Sequence, residues 1–528
     1  MRVRTISISM SVILAVLFNG TGLAQDLASE FADFKKQAES RYGEFRKECN
    51  KKYIEFLRKS WERFESKAPI PTPKDDDTIP PRPYVKDEEE KESITPDDNY
   101  PVDDRINERP IEETPIEETP IDSNPIEESI DSKPAIEPIE ISPIEETPQP
   151  KPIEPIREIT APDEKQIKIG FYGIEGKVRL PEAAKIKLKD CSPEAIAEAW
   201  GILSEDGLNN AIRDCLETRI RHNLCDWAYL MYLDRLGQQY CDDPNGATLL
   251  TAFLYCQSGY QMRLATDTGR LVMLYGTRHQ QYDKRYYSIN GLNFYPLGRD
   301  LSSSIRICNT PFTGETPMSL GIDKEQLLGD GMSEPRTIKS TRFRELSVES
   351  RVPENLIKFY NDFPSSQLDG NPLTRWAICA NTPLAQGTKD LIYPAITRET
   401  EGLTQLKAVE KILNLVQTGF TYGYDSNVWG QDRAFFSEET LFYPYSDCED
   451  RAVLFSRLVR DLIGIDVALV YYPNHLATAV CFDEDVAGDA IKVDGRKFTI
   501  CDPTYIGAPV GSQMPGLRHE KTQAILLR

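Results

Sequence analysis

Cys448, His475 and Asp502 follow one another at intervals of 27 residues. A thiol, an imidazole and a carboxylate are what thiol-based acyl transfer requires: a nucleophile, a base that later acts as acid, and a group that holds the imidazole in one tautomer. Ser446-Asp447-Cys448-Glu449-Asp450-Arg451-Ala452 reads as a helix start, with Ser446 and Glu449 at the spacing of a capping box. That places Cys448 in a first helical turn, where the helix dipole favours the thiolate and backbone N–H groups can stabilise an oxyanion. Carboxylates of Asp447, Glu449 and Asp450 oppose this wherever they point toward the sulfur. His475 opens an apolar run ending at Val480, and Asp502 closes the run Phe498-Thr499-Ile500-Cys501. Both runs read as strands, and a strand-start His meets a strand-end Asp when the strands are adjacent and antiparallel. The chain has only four His, at 222, 279, 475 and 519, and His519 lies in a polar tail.

The elements around these residues read as an α+β domain. Leu403, Leu406, Val409, Leu413, Val416 and Phe420 mark one helix face, with Gly419 near its end. The helix beginning near Cys448 turns Ala452, Phe455, Leu458 or Val459, and Leu462 inward. Ile465–Tyr471 and Leu476–Phe482 read as strands, and Val493-Asp494-Gly495-Arg496 as a hairpin turn leading to Asp502.

Asp447-Cys448-Glu449-Asp450-Arg451-Ala452, His475 at a strand start, and Cys501-Asp502-Pro503-Thr504-Tyr505 together resemble the core of the transglutaminase-like superfamily, especially its secreted bacterial branch. The resemblance spans roughly residues 335–515, and the combined motifs carry more specificity than any one alone. It implies a papain-like core in which a nucleophile helix packs on an antiparallel sheet bearing His and Asp. It also implies an acyl-enzyme on Cys448, with His475 as base then acid and Asp502 as orienter, and no cofactor. Members are cysteine peptidases or amidases, or transamidases that cross-link proteins. An oxyanion-supporting side chain before the cysteine is common in the family, and Trp429 and Gln431 lie in that direction. Hydrolysis is the favoured activity, because transamidation needs a bound amine and exclusion of water, for which the sequence shows no element. The reading from a different class is a non-catalytic binding module.

An echo of this core lies upstream. Gly259 to Tyr275 aligns without gaps on Gly464 to Val480, a helix-like run Ala247–Cys256 precedes it, and Asn290-Gly291 matches the Asp494-Gly495 turn to within one residue. In that register Cys448 corresponds to Asp243, His475 to Arg270, and Asp502 to Leu297 or Gly298. Residues 185–300 are therefore expected to be a degenerate, non-catalytic copy, unless two helix–strand–strand units coincide by chance.

Five segments follow from composition. Residues 1–24 read as a signal peptide: Arg2 and Arg4, an apolar stretch from Ile8 to Phe18 too short to span a bilayer, and small residues at Gly22-Leu23-Ala24. The expected location is exported, in the periplasm or outside the cell. Residues 25–66 carry an eleven-residue repeat: Phe31…Phe34…Ala38, Tyr42…Phe45…Cys49, Tyr53…Phe56…Ser60, then Phe64. Steps of 3, 4 and 4 give one helix face with little or slightly right-handed supercoiling. This predicts a helix from about Leu27 to Glu65, packed on its own domain or mediating self-association or docking. Residues 67–163 hold 28 acidic and 10 basic residues, a net −18 of the chain's −22. With the repeated Pro-Ile-Glu-Glu-Thr unit they predict a disordered, stiffened tether. This acidity disfavours nucleic acid as a partner, leaving a protein or peptide substrate. Residues 164–330 and 331–528 read as two α+β domains, the second catalytic. Eleven cysteines, an odd number in a long chain, read as buried free thiols rather than a disulfide scaffold, with a bridge among Cys215, Cys225, Cys241 and Cys256 as the alternative. No Cys/His cluster has zinc spacing, and Asp75-Asp76-Asp77 lacks the spacing of a calcium loop.

Overall fold

The computed structural model describes residues 21–73, 81–84, 138–139, 153–517 and 522–527, with side chains of the first helix from residue 31 onward. Most of the expected leader and most of the acidic tether lie outside the described residues.

The N-terminal helix α1 (Thr21–Leu57) is followed by strand β1 (Trp61–Glu65). The aromatic repeat continues through Phe64, but the helix does not. It stops at Leu57 rather than near Glu65, because residues 61–65 pair along a sheet edge instead, and tertiary pairing overrides helical periodicity. The far end of α1 docks on its own domain. Cys49, Tyr53 and Leu57 are buried there. Tyr53 packs on Trp200, ring centres 4.9 Å apart, and the Trp200 indole N–H donates to Asn50 Oδ1 at 2.9 Å. Parts of the acidic segment also touch the body. Lys67, Ile70 and Pro83 form isolated bridges to Tyr286, Tyr282 and Ile506, Ile156 is buried, and a two-residue strand, β2 (Pro138–Ile139), runs parallel to the last strand of the chain.

The first unit contains α2 (Pro193–Leu203), α3 (Pro244–Gln257), β3 (Met262–Asp267), β4 (Arg270–Thr277), β5 (His279–Gln281), β6 (Tyr287–Ile289), β7 (Leu292–Pro296) and β8 (Ser304–Cys308). Its six-stranded sheet runs β6-β7-β4-β3-β8-β1, antiparallel throughout. The second unit contains β9 (Ser366–Leu368), α4 (Gln405–Gly419), α5 (Cys448–Leu462), β10 (Val467–Tyr472), β11 (His475–Val480), β12 (Ala490–Val493), β13 (Arg496–Cys501) and β14 (Gln523–Leu526). Its sheet runs β12-β13-β11-β10-β14-β2. The two orders match strand for strand, and the first five strands of each are antiparallel. Only the sixth differs, since β1 is antiparallel and β2 parallel to its neighbour. In each unit a helix, α3 or α5, packs on the central hairpin. Each carries the same two-residue turn between its edge strands: Asn290-Gly291 and Asp494-Gly495 all have positive φ near +50° then +80°, the conformation that Asn-Gly and Asp-Gly favour.

Side chains alternate across each sheet as strand geometry dictates. Val467 and Leu469 join the large core under the helices, whereas Ala468 and Val470 join a smaller cluster on the other face. The first unit has the same division, with Leu264 inward and Ala265 outward. The large core is continuous across both units, and β5 pairs with β9 between them. All eleven cysteines are free thiols. Among the described residues no helix is long and apolar enough to cross a membrane.

Candidate active site

The register of the second sheet brings two of the three candidate residues together. His475 opens β11 opposite Tyr472, and β11 pairs with β13 through Val480↔Thr499, Ala479↔Ile500 and Thr478↔Cys501. The residue after Cys501 thus arrives beside the start of β11. His475 Nε2 lies 2.9 Å from Asp502 Oδ2, and both residues are buried. The other oxygen of Asp502 is also occupied, accepting the backbone N–H groups of Thr504 at 2.8 Å and Tyr505 at 3.2 Å. The carboxylate is thus fixed by its own turn, and one nitrogen of the imidazole is fixed by the carboxylate. His475 Nδ1 is buried and makes no hydrogen bond among the described residues.

Cys448 is the first residue of α5, which packs on β11. The cap is not the expected Ser446/Glu449 box. Asp447 is the N-cap, its side chain accepting from Asp450 N–H, while Asp450 accepts from Asp447 N–H. Asp is as good a cap as Ser, and it sits one residue closer to the helix. Ser446 Oγ instead accepts from the Arg451 guanidinium at 3.2 Å. The displaced Glu449 turns toward the sulfur, and the Cys448 thiol donates to Glu449 Oε2 at 3.4 Å. A carboxylate accepting an S–H bond favours the thiol over the thiolate.

Glu449 belongs to a buried acidic group. One carboxylate oxygen from each of Asp425, Asp447 and Glu449 lies within 4.8 Å of the others, an oxygen set of the kind hard cations take. Burial, reinforced by the carboxylates of Asp450 and Glu449, pushes Asp425 up to about 10. Burial pushes Asp450 up to about 8, against backbone donors from Phe435 and Asp447 that favour its charged form.

Gln417 escaped the sequence reading. It lies on α4 and is buried. The two hydrogens of its amide N–H₂ are shared among the carbonyls of Asp502, Tyr505 and Ala508 at 3.0, 2.8 and 3.1 Å, and its Oε1 accepts from Gly507 N–H at 3.1 Å. One side chain thus ties down the whole 502–508 turn. The available signal was a polar residue inside a buried helix face, beside Leu413 and Val416. Of the two oxyanion candidates, Gln431 is exposed. Trp429 packs between Phe435, Tyr443 and the Arg433 guanidinium, the last 4.4 Å from its ring centre. Two depressions on the described surface, one lined by Lys389, Tyr393 and Arg398 and one by Leu373, Arg375 and Tyr471, include none of Cys448, His475 and Asp502 in their walls.

No protein-family model, curated protein or solved structure matches this chain.

Proposed function

We propose that the chain is an exported cysteine hydrolase of the transglutaminase-like kind, cleaving peptide or amide bonds through Cys448, His475 and Asp502 on a papain-like core. The observation that carries this reading is the buried His475–Asp502 bond, which commits Nε2 and leaves Nδ1 without a hydrogen-bond partner among the described residues. A nitrogen in that condition is available as general base. In the proposed cycle Nδ1 takes the thiol proton as Cys448 Sγ attacks the carbonyl carbon. Asp502 stabilises the resulting imidazolium. The proton then passes to the leaving amine as the C–N bond breaks. Water, deprotonated by the same nitrogen, attacks the thioester and releases the acid and the thiol. Backbone N–H groups of the first turn of α5 suit the oxyanion. Before attack, the thiol must exchange its hydrogen bond to Glu449 for one to His475. Apo active sites often hold such bonds long or misdirected until substrate binds.

The second reading, a binding module that keeps the fold without the reaction, is favoured by that same thiol–Glu449 bond and by burial of all three residues to 1% exposure. Transamidation has no comparable observation behind it. The deciding experiment is alkylation of the purified protein across pH with mapping of the modified cysteine, beside His475→Ala. Selective labelling of Cys448 below about pH 7, lost in the variant, is the result for an imidazole-activated thiolate. Reaction only near an ordinary thiol pKa of about 8.5, with no dependence on His475, would assign the binding module.

A further inference from the structure

The eleven-residue repeat of α1 separates into two faces with different fates. Where the helix lies on the body the first aromatic of the unit turns inward, with Tyr53 buried and Tyr42 half-buried, whereas Phe31 of the first unit is 67% exposed. The second aromatic turns outward: Phe34, Phe45 and Phe56 are 62%, 51% and 44% exposed. Eleven residues of helix rise about 16 Å and close three turns to within about 20°. The three rings therefore form a single stripe about 33 Å long, and nothing in the described fold covers it. Core packing explains the inward face and leaves the outward one unexplained.

Charge is what identifies the occupant. Arg41 and Lys52 fall between the rings at steps that keep them on the same face, 34, 41, 45, 52 and 56, beside Glu48 and Glu55, and the exposed Lys59 follows in the turn just after the helix. Lys52 pairs with Glu48, and Arg41 and Lys59 form no ion pair among the described residues. Residues 31–60 hold nine Lys and Arg against five Asp and Glu, a net +4 in a chain of net −22. The cations that face the body are already matched there, Lys47 by Asp206 and Arg58 by Glu194. Residues 31–37 are exposed all round, with Lys35 paired to Glu154 at 3.2 Å. The acidic charge elsewhere in the chain is screened beyond about 8 Å at physiological salt.

We propose that this face of α1 is a docking surface for an anionic phospholipid bilayer. The helix would lie in the headgroup plane, with the three phenylalanines in the acyl boundary and the three cations on the phosphates. It would hold the protein on a membrane without spanning it. A second copy of the chain fits less well, because a stripe-to-stripe pair would crowd six cations along one apolar seam. The proposal goes beyond the thiol chemistry and does not depend on it.

Flotation with lipid vesicles tests it on the whole purified protein, reading bound fraction rather than activity. Vesicles containing phosphatidylglycerol should carry the protein at least about tenfold better than pure phosphatidylcholine, and 0.5 M salt should remove most of the difference. R41E/K52E/K59E should lose binding to the anionic vesicles, roughly fivefold or more for each charge, and F34S/F45S/F56S should lose it on both lipids. All six side chains face outward, so both variants should keep the wild-type unfolding midpoint, which separates lost binding from lost folding. Equal binding to both lipids, or wild-type binding by either variant, would overturn the proposal. So would a solution dimer that F34S/F45S/F56S dissociates in a protein that does not float, which would assign the stripe to a second copy.

Discussion

At the scale of single residues, the carboxylate beside the thiol opposes its ionisation. Glu449 accepts the Cys448 S–H bond inside a buried group that also contains Asp425 and Asp447. Removing that negative charge while keeping the shape should release the thiolate. Glu449→Gln is therefore expected to speed alkylation of Cys448 at pH 6–7 by about tenfold, the factor for one pKa unit, measured by timed labelling and peptide mapping. An unchanged rate would mean that the carboxylate is not what holds the proton. The same acidic neighbourhood sets a pH dependence of stability. Burial raises Asp425 to about 10, Asp450 to about 8, and Glu438 and Glu439 each to about 7. Each holds its proton to a higher pH in the folded protein than in the unfolded chain. The folded state thus binds more protons from about pH 4 upward, and the linked stability, full below that pH, is lost as pH rises through the raised values. Urea unfolding should show a midpoint that falls between pH 5 and pH 9. Asp425→Asn should flatten that fall and stabilise the protein at pH 9 by about 1–3 kcal/mol; a midpoint that rises with pH would contradict the account.

At the scale of elements, the site depends on how the 502–508 turn is held against α4. Gln417 holds three carbonyls with its two amide hydrogens and accepts one N–H of that turn, so Gln417→Ala strands several buried backbone groups at once. The expected cost is about 2–4 kcal/mol in urea unfolding. The turn that carries Asp502 should also loosen, lowering whatever His475-dependent labelling of Cys448 the wild type shows. A loss below 1 kcal/mol would mean that water replaces the amide. How far such features can be read from sequence depends on what fixes them. The hairpin at Asp494-Gly495 and the meeting of His475 with Asp502 were legible because a turn pair and a strand register are encoded locally. The cap lies one residue from the expected one because Ser446 and Asp447 are both good caps and only packing chooses between them. The end of α1 falls short of the repeat because residues 61–65 keep the helical spacing yet pair with β8. The Glu449–thiol bond and the Gln417 clamp depend on side-chain direction across elements distant in sequence, which spacing does not encode.

At the scale of the whole molecule, the matched strand order of the two sheets ties segments upstream of both units to the body. Each sheet takes its sixth strand from a segment upstream of both units: β1 covers the β8 edge of the first, and β2 lies along β14 of the second. Composition alone draws a boundary at residue 164, where the acidic segment ends. A chain cut there would keep every residue of the proposed triad and both helices that pack on the central hairpins. It would lose five paired residues on the β8 edge, Trp61↔Cys308 through Glu65↔Ser304. It would also lose the Tyr53 and Leu57 side chains from the core and the Asn50 acceptor of the Trp200 indole. Two large apolar side chains removed from a packed core cost about 2–5 kcal/mol each, and a bare sheet edge recruits other strands. Residues 164–528 alone should therefore unfold at a midpoint lower by at least about 10 °C than the whole chain, and should self-associate on a sizing column. A chain beginning at residue 38 keeps Cys49, Tyr53, Leu57 and β1 while lacking the exposed end of α1 and its surface Lys35–Glu154 pair, and it should melt like the whole protein. If residues 164–528 formed a monomer with the unshifted midpoint, α1 and β1 would be passengers on a body that folds without them.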